Sequence, residues 1–172
     1  TKNDIGLSVV SFDLNTNYGD AGFVRNAGSL GEIEDAEWHG GIPDFTSDVI
    51  VDLSTQQTGV RLSVLRLDPA TGLFDRVSSS FGEVDASRAN GTQLHPDLGE
   101  RLQTGEEVYE TLTPLGGDFA IEIYPVHDAS GNVIGGLEAG VPIDQLVVPL
   151  TRERNMFIVL TACIAQVSAL GA

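Results

Sequence analysis

The chain has 172 residues, about one domain on a prior of roughly 100–200 residues per domain. Nine Lys and Arg stand against 25 Asp and Glu, a formal net charge of −16, and Lys2 is the only lysine. That balance excludes nucleic acid and anionic lipid headgroups as partners, since both need clustered basic side chains; 41% hydrophobic residues exclude an acidic disordered tail.

Taken in chain order, residues 2–17 place Ile5, Val9 and Phe12 at helical spacing, extended by Val10 and Leu14. The spacing predicts the end of a longer helix that starts before Thr1. The chain does not begin with Met and has no basic stretch followed by an apolar run, so residue 1 is read as an internal boundary of a longer protein. Two short apolar runs, 22–25 and 29–34, are split by Asn26-Ala27-Gly28 and read as a β-hairpin. Trp38 to Gly41 break the chain. Ile42-Pro43-Asp44 then opens a helix with Phe45, Val49 or Ile50, and Leu53 as its apolar stripe, stopped by Gly59.

The rest is β-rich. In 60–67, Leu62 and Val64 fall on one face and Leu65 and Leu67 on the other, so both faces are partly covered. Pro69 to Gly72 form a turn into a strand over 73–81. A Gly/Asp/Ser/Asn-rich loop covers 82–94, and a short helix runs from Pro96 to Leu102 and stops near Gly105. Strands follow at 107–113, 118–126 and 132–141, the last two joined through Asp128 to Gly131. Pro142 opens a final helix. Strands joined by tight turns, with helices on their faces, make an α+β domain around an antiparallel sheet.

From Met156 to Ala172 no residue is charged. Seventeen residues at about 1.5 Å each span roughly 26 Å, slightly short of a bilayer core. This run is read as the start of a transmembrane helix; the alternative is a C-terminal helix buried in the core, with Gln166 and Ser168 satisfied by partners. Arg152 and Arg154 on its N-terminal side count weakly against the membrane reading.

Chemistry-bearing motifs are sparse. There is no GxSxG, phosphate-binding loop, dinucleotide fingerprint or HExxH pattern, which points away from an enzyme and a cofactor. Cys163 is the only cysteine, so no disulfide forms within the chain. His39, His95 and His127 lack ligand-like spacing and imply no metal. What remains is a polar and cationic group among apolar strands. Arg76, Ser78 and Ser80 alternate and so are expected on one strand face; Arg88 and Thr92 follow in the loop, and Tyr124 ends a later strand. Arginine forks with nearby hydroxyls suit a small carboxylate. Equally, Arg76 and Arg88 could form structural ion pairs with Asp75, Glu83 or Asp85.

The ordered motifs carry a resemblance over residues 42–141. IPDFTSDVIVD (42–52), TGVRLSVLRLDPATGLFDRVSSSF (58–81), DASRANGTQL (85–94), GEEVYETL (105–112) and FAIEIYPVHDASGNVIGGLEAGV (119–141) stand in the order seen in single-Cache sensor domains. The chain resembles those extracytoplasmic domains of bacterial methyl-accepting chemotaxis receptors. The resemblance implies a PAS-like antiparallel sheet of five to six strands with a long N-terminal helix and flanking helices. It implies a division into the end of a dimerisation helix (1–18), the sensor domain (19–141), an exit helix (142–155) and the start of a transmembrane helix (156–172), facing the periplasm from the inner membrane. It also implies a small-molecule ligand, often a carboxylate, a homodimer through the N-terminal helices, and signalling by helix displacement. Arg76 stands at the family's strand arginine, Ser79 and Ser80 where Thr-Asn is usual, and Arg88, Gly91 and Thr92 match the loop. Tyr109 and Tyr124 match two tyrosines, and Phe119 replaces a third, removing one hydroxyl. The binding residues expected are thus Arg76, Ser78, Ser80, Arg88, Thr92, Tyr109, Phe119 and Tyr124. The same domain on a histidine kinase or diguanylate cyclase is the alternative, and a soluble acidic binding protein or enzyme stands behind it.

Overall fold

A computed structural model describes residues 2–27, 33–82, 88–112 and 117–145. By contact density the chain divides into units 1–141 and 142–172. The elements are α1 (Lys2–Tyr18), β1 (Phe23–Ala27), β2 (Ile33–Trp38), α2 (Val49–Thr58), β3 (Arg61–Leu67), β4 (Phe74–Ser79), α3 (Pro96–Gln103), β5 (Val108–Leu112), β6 (Phe119–His127) and β7 (Val133–Pro142). The tip of the β1–β2 hairpin, the loop at 83–87, the exit helix expected beyond residue 145 and the apolar run 156–172 lie outside the described residues. Among the described residues no helix is long and apolar enough to cross a membrane.

The α+β expectation holds, and the sheet is broader than the five to six strands that the resemblance implies. All seven strands form one sheet in the order β1-β2-β6-β7-β3-β4, with β5 on β6. The extra breadth comes from the β1–β2 hairpin, which joins β6 through a parallel pairing of Glu37 with His127; the other registered pairs are antiparallel. Since β7 takes one edge of β6, β5 and β2 share the other, β5 along Phe119–Ile123 and β2 at His127.

The sheet is apolar on both sides. On one, Leu62, Val64, Val126, Leu137 and Ala139 pack with Leu7, Val10 and Leu14 of α1 and Ile50 and Val51 of α2. On the other, Leu65, Phe74, Ile121 and Ile123 pack with Leu98 and Leu102 of α3, and with Phe81 and Leu94. The alternation read in β3 is thus the observed one.

Both long helices turn only part of the expected stripe inward, Val10 and Leu14 in α1 and Ile50 in α2. In α1 the buried set is Leu7, Val10 and Leu14, while Ile5 and Phe12 are more than half exposed. The helix carries two apolar stripes, and spacing alone ranks neither. In α2 the buried residues are Ile50, Val51 and Ser54, and Val49 and Leu53 face out. This helix starts at Val49, later than Pro43. Phe45 precedes it and packs edge-on against Tyr18 and Trp38, with ring centres 5.4 and 6.0 Å away; Trp38 itself is fully buried. Gly59 ends α2 as expected: its φ of 70° is the left-handed cap, and its N–H donates to the Thr55 carbonyl at 2.7 Å.

Two aspartates close the hairpins flanking β4 and β7. Asp68 accepts from the Ala70 N–H and the Thr71 hydroxyl, both at 2.9 Å. Asp128 accepts from the N–H groups of Ser130 and Asn132 at 2.8 and 2.9 Å. Hydrogen bonding, from Ala70 to Asp68 and from Asn132 to Asp128, holds both carboxyls below their ordinary value of 3.8. Their contribution is therefore complete above pH 3.8 and is lost as pH falls through the lowered values. Urea midpoints should drop on acidification below that point, and Asp128→Asn should flatten the drop.

The Gly135-Gly136 pair serves close packing rather than a turn. A Cβ on Gly135 would sit 2.2 Å from the Leu65 carbonyl oxygen and 2.1 Å from Ile42 Cδ1. Gly135→Ala should cost about 1–3 kcal/mol in denaturant unfolding, because the backbone of β3 must yield.

Candidate functional site

The expected site begins on β4, and β4 contains a bulge. Val64 pairs with Ser78 and Leu65 with Arg76, which leaves Val77 as the extra residue. Val64 and Leu65 point to opposite faces, so Arg76 lies on the α3 side, while Ser78 and Ser80 lie on the α2 side. The single shared face expected for these three residues is overturned by that one inserted residue.

On the α3 side, Arg76 meets Glu138 of β7. Arg76 Nε donates to Glu138 Oε2 and Nη2 to Oε1, both at 2.7 Å, across the intervening β3. Arg76 is 5% exposed and Glu138 not at all. Nη1 donates to Thr92 Oγ1 at 3.1 Å and to the Gln93 carbonyl at 3.2 Å. Burial by itself would lower the guanidinium's pKa, but the Glu138 carboxylate outweighs it and holds Arg76 above its ordinary value. Arg76 stays charged, and its fork is filled by the chain's own carboxylate. Ser63 and Ser79, hydrogen-bonded to each other at 2.9 Å, lie in register beside Glu138.

On the α2 side, the N-terminus of the helix gathers the other polar residues. Asp48 accepts from Ser78 Oγ at 2.8 Å and from Asn90 Nδ2 at 2.8 Å. Ser80 Oγ bonds Thr55 Oγ1 at 2.7 Å. Arg88 forks onto Asp52, with Nη1 at 2.8 Å and Nη2 at 3.0 Å, and Nη1 also donates to the Ser79 carbonyl at 2.7 Å. Arg76 and Arg88 therefore hold the 88–94 loop against the sheet from its two sides.

The remaining expected residues lie apart. Tyr109 is 56% exposed on β5, and its hydroxyl donates to Glu107 at 2.8 Å. Desolvation of that hydroxyl and the carboxylates of Glu107 and Glu122 push the phenol's pKa up. Phe119 packs edge-on against Phe81 at 5.2 Å, on the α3 side. Tyr124 belongs to the cluster under α1 and α2. Among the described residues no three His, Cys, Asp or Glu side chains are grouped to hold a metal.

An open cavity of about 330 Å³ lies at the start of β4. Asp44, Phe45 and Arg66 line it, together with Asp75, Arg76 and Val77 of β4 and Asn90 and Gly91 of the loop. Arg66 Nη1 donates to Asp44 Oδ1 at 2.6 Å, and the Asp44 side chain is 90% exposed.

Sequence reading missed Glu138, Asp48, Asp52, Asp44 and Arg66. A glutamate inside the otherwise apolar run VIGGLEAGV was a signal for Glu138. The partners considered for the two arginines were near neighbours in the chain, whereas the observed ones lie 62 and 36 residues away. Glu83 and Asp85 are outside the described residues.

Removing one member of a buried pair leaves an uncompensated charge. Glu138→Ala and Arg76→Ala should each cost about 3–5 kcal/mol in denaturant unfolding. The double replacement Arg76→Met, Glu138→Leu should cost less than either single change, since it buries no charge.

No curated protein matches the sequence. The structure of the E. coli DcuS sensor domain is similar at a TM-score of 0.45 and 13% identity, covering 60% of this chain and 71% of that one. The family model for single Cache domain 3 matches residues 45–152, more than half of the chain, and so includes α2, the bulged β4, the 88–94 loop and β7. The chain belongs to the single Cache domain family.

Proposed function

We propose that this chain is the extracytoplasmic ligand-sensing part of a transmembrane chemoreceptor, facing the periplasm, and that it responds to a small organic acid. The observation that carries the reading is the family match over residues 45–152. Signalling is a population shift: the ligand favours one of two arrangements by binding it more tightly. The bonding around Arg76 supports a route for that shift. One guanidinium holds the 88–94 loop through Thr92 and Gln93, and holds β7 through Glu138. β7 runs straight to Pro142, where the exit helix is expected to begin. A ligand that moves the loop therefore pulls on the strand leading out of the domain.

Dimerisation through α1 belongs to the same proposal. Ile5 and Phe12 are 53% and 59% exposed, and Val49 and Leu53 of the neighbouring α2 are 54% and 48% exposed. Four large apolar side chains on adjacent helices suit a second copy of the chain. Phe12→Asp should convert a dimer to a monomer in sedimentation velocity with an unchanged circular dichroism spectrum; a persisting dimer places the interface elsewhere.

Ligand binding is tested by a thermal-shift screen of small organic acids. At a concentration 100 times Kd, a bound acid adds about 2.7 kcal/mol of stability. For a chain of this size that is a rise in Tm of about 5–10 °C. No shift across the panel overturns the ligand-sensing reading.

A further inference from the structure

We infer that the cavity beside β4 is a site for a small zwitterion, an acid that also carries a primary ammonium group, such as an α-amino acid with a compact apolar side chain. The inference rests on the sensing reading above and deepens it by naming the ligand class and the residues that would hold it.

Which arginine can accept a ligand carboxylate is decided by what each already holds. Arg76 is buried and forked onto Glu138, and Arg88 is 13% exposed and forked onto Asp52. Displacing Glu138 would strand a buried charge, and Arg88 is held further by its bond to the Ser79 carbonyl. Arg66 differs. Its one ion-pair partner among the described residues is Asp44, on an exposed bond between side chains 39% and 90% accessible. Such pairs contribute little, so exchanging Asp44 for a ligand carboxylate costs little.

The rest of the cavity asks for a cation. Of its two lining guanidiniums, Arg76 is already neutralised by Glu138, which leaves the carboxylates of Asp44 and Asp75 against Arg66 alone. Asp75 has no ion-pair partner among the described residues. A ligand carboxylate on Arg66 frees Asp44, and the ammonium then meets Asp44 and Asp75 in charge-assisted hydrogen bonds. Phe45 and Val77 supply an apolar wall for the remainder of the molecule. The volume of about 330 Å³ is at the small end of the roughly 300–1,000 Å³ usual for ligand sites.

The long-range field favours the same chemistry. A domain of net charge −16 repels a simple carboxylate as it approaches. A zwitterion has no net charge to repel, and its ammonium end is drawn in.

The test is calorimetric titration of the 172-residue chain with alanine, propionate, ethylamine and glycine betaine. These probes present both charges, the carboxylate alone, the ammonium alone, and both charges without an N–H donor. Alanine should bind at least tenfold more tightly than the other three. Arg66→Ala and Asp75→Asn, both changes at the accessible cavity wall, should each weaken alanine at least tenfold with Tm of the free protein nearly unchanged. Propionate binding as tightly as alanine overturns the zwitterion assignment but leaves the sensing reading standing. Alanine binding that survives both substitutions overturns the site. Silence of all four probes overturns the zwitterion proposal, and the broader organic-acid screen then decides separately whether sensing falls with it.

Discussion

A charge taken out of water must be met by another, and Arg76 is where this domain faces that constraint. Its guanidinium is nearly inaccessible, so Glu138 has to be held within hydrogen-bond reach, which sets the relation of β4 to β7 across β3. The bulge at Val77 turns Arg76 toward α3, and the glycines on that face of β7 leave room for the neighbours that close over it: Leu102 and Ile123 crowd Gly136, and Phe81 and Ile121 crowd Gly140. The loop 88–94 then supplies the remaining acceptors. Bulge, glycines and loop answer one requirement, a satisfied ion pair inside an apolar layer.

The two arginines of the loop region divide the work by face. Arg76 ties the loop to the sheet interior, and Arg88 ties it to α2. Asp48 shows how far the polar residues are bent to this purpose. At the start of α2 it makes no side-chain capping bond, and its carboxylate reaches instead to Ser78 and Asn90. The helix gives up a stabilising cap, and the segment 48–52 becomes a two-point anchor for β4 and the loop.

Much of the fold was legible in the sequence because its elements are short and sharply punctuated. Alternation in β3, the cap at Gly59, and the Asp-to-Gly turns before β4 and β7 depend on residues within a few positions of each other. The stripes of α1 and α2 were harder. Each helix has apolar residues on two faces, and burial is decided by which face meets the sheet. Phe45 fitted helical spacing yet serves an aromatic cluster with Tyr18 and Trp38. The site was the least legible part. An inserted residue in β4 depends on partners in β3, and the counter-ion of Arg76 lies 62 positions on, so no local pattern connects them.

Trp38 carries a consequence of a different kind. It is the chain's single tryptophan, fully buried, with the ring of Phe45 edge-on to its own. Phe45 also walls the cavity beside β4. The indole is shielded from solvent yet one aromatic contact away from that cavity, and no second tryptophan dilutes its signal. The domain thus carries an intrinsic optical reporter next to its open groove, readable in the native chain without a label.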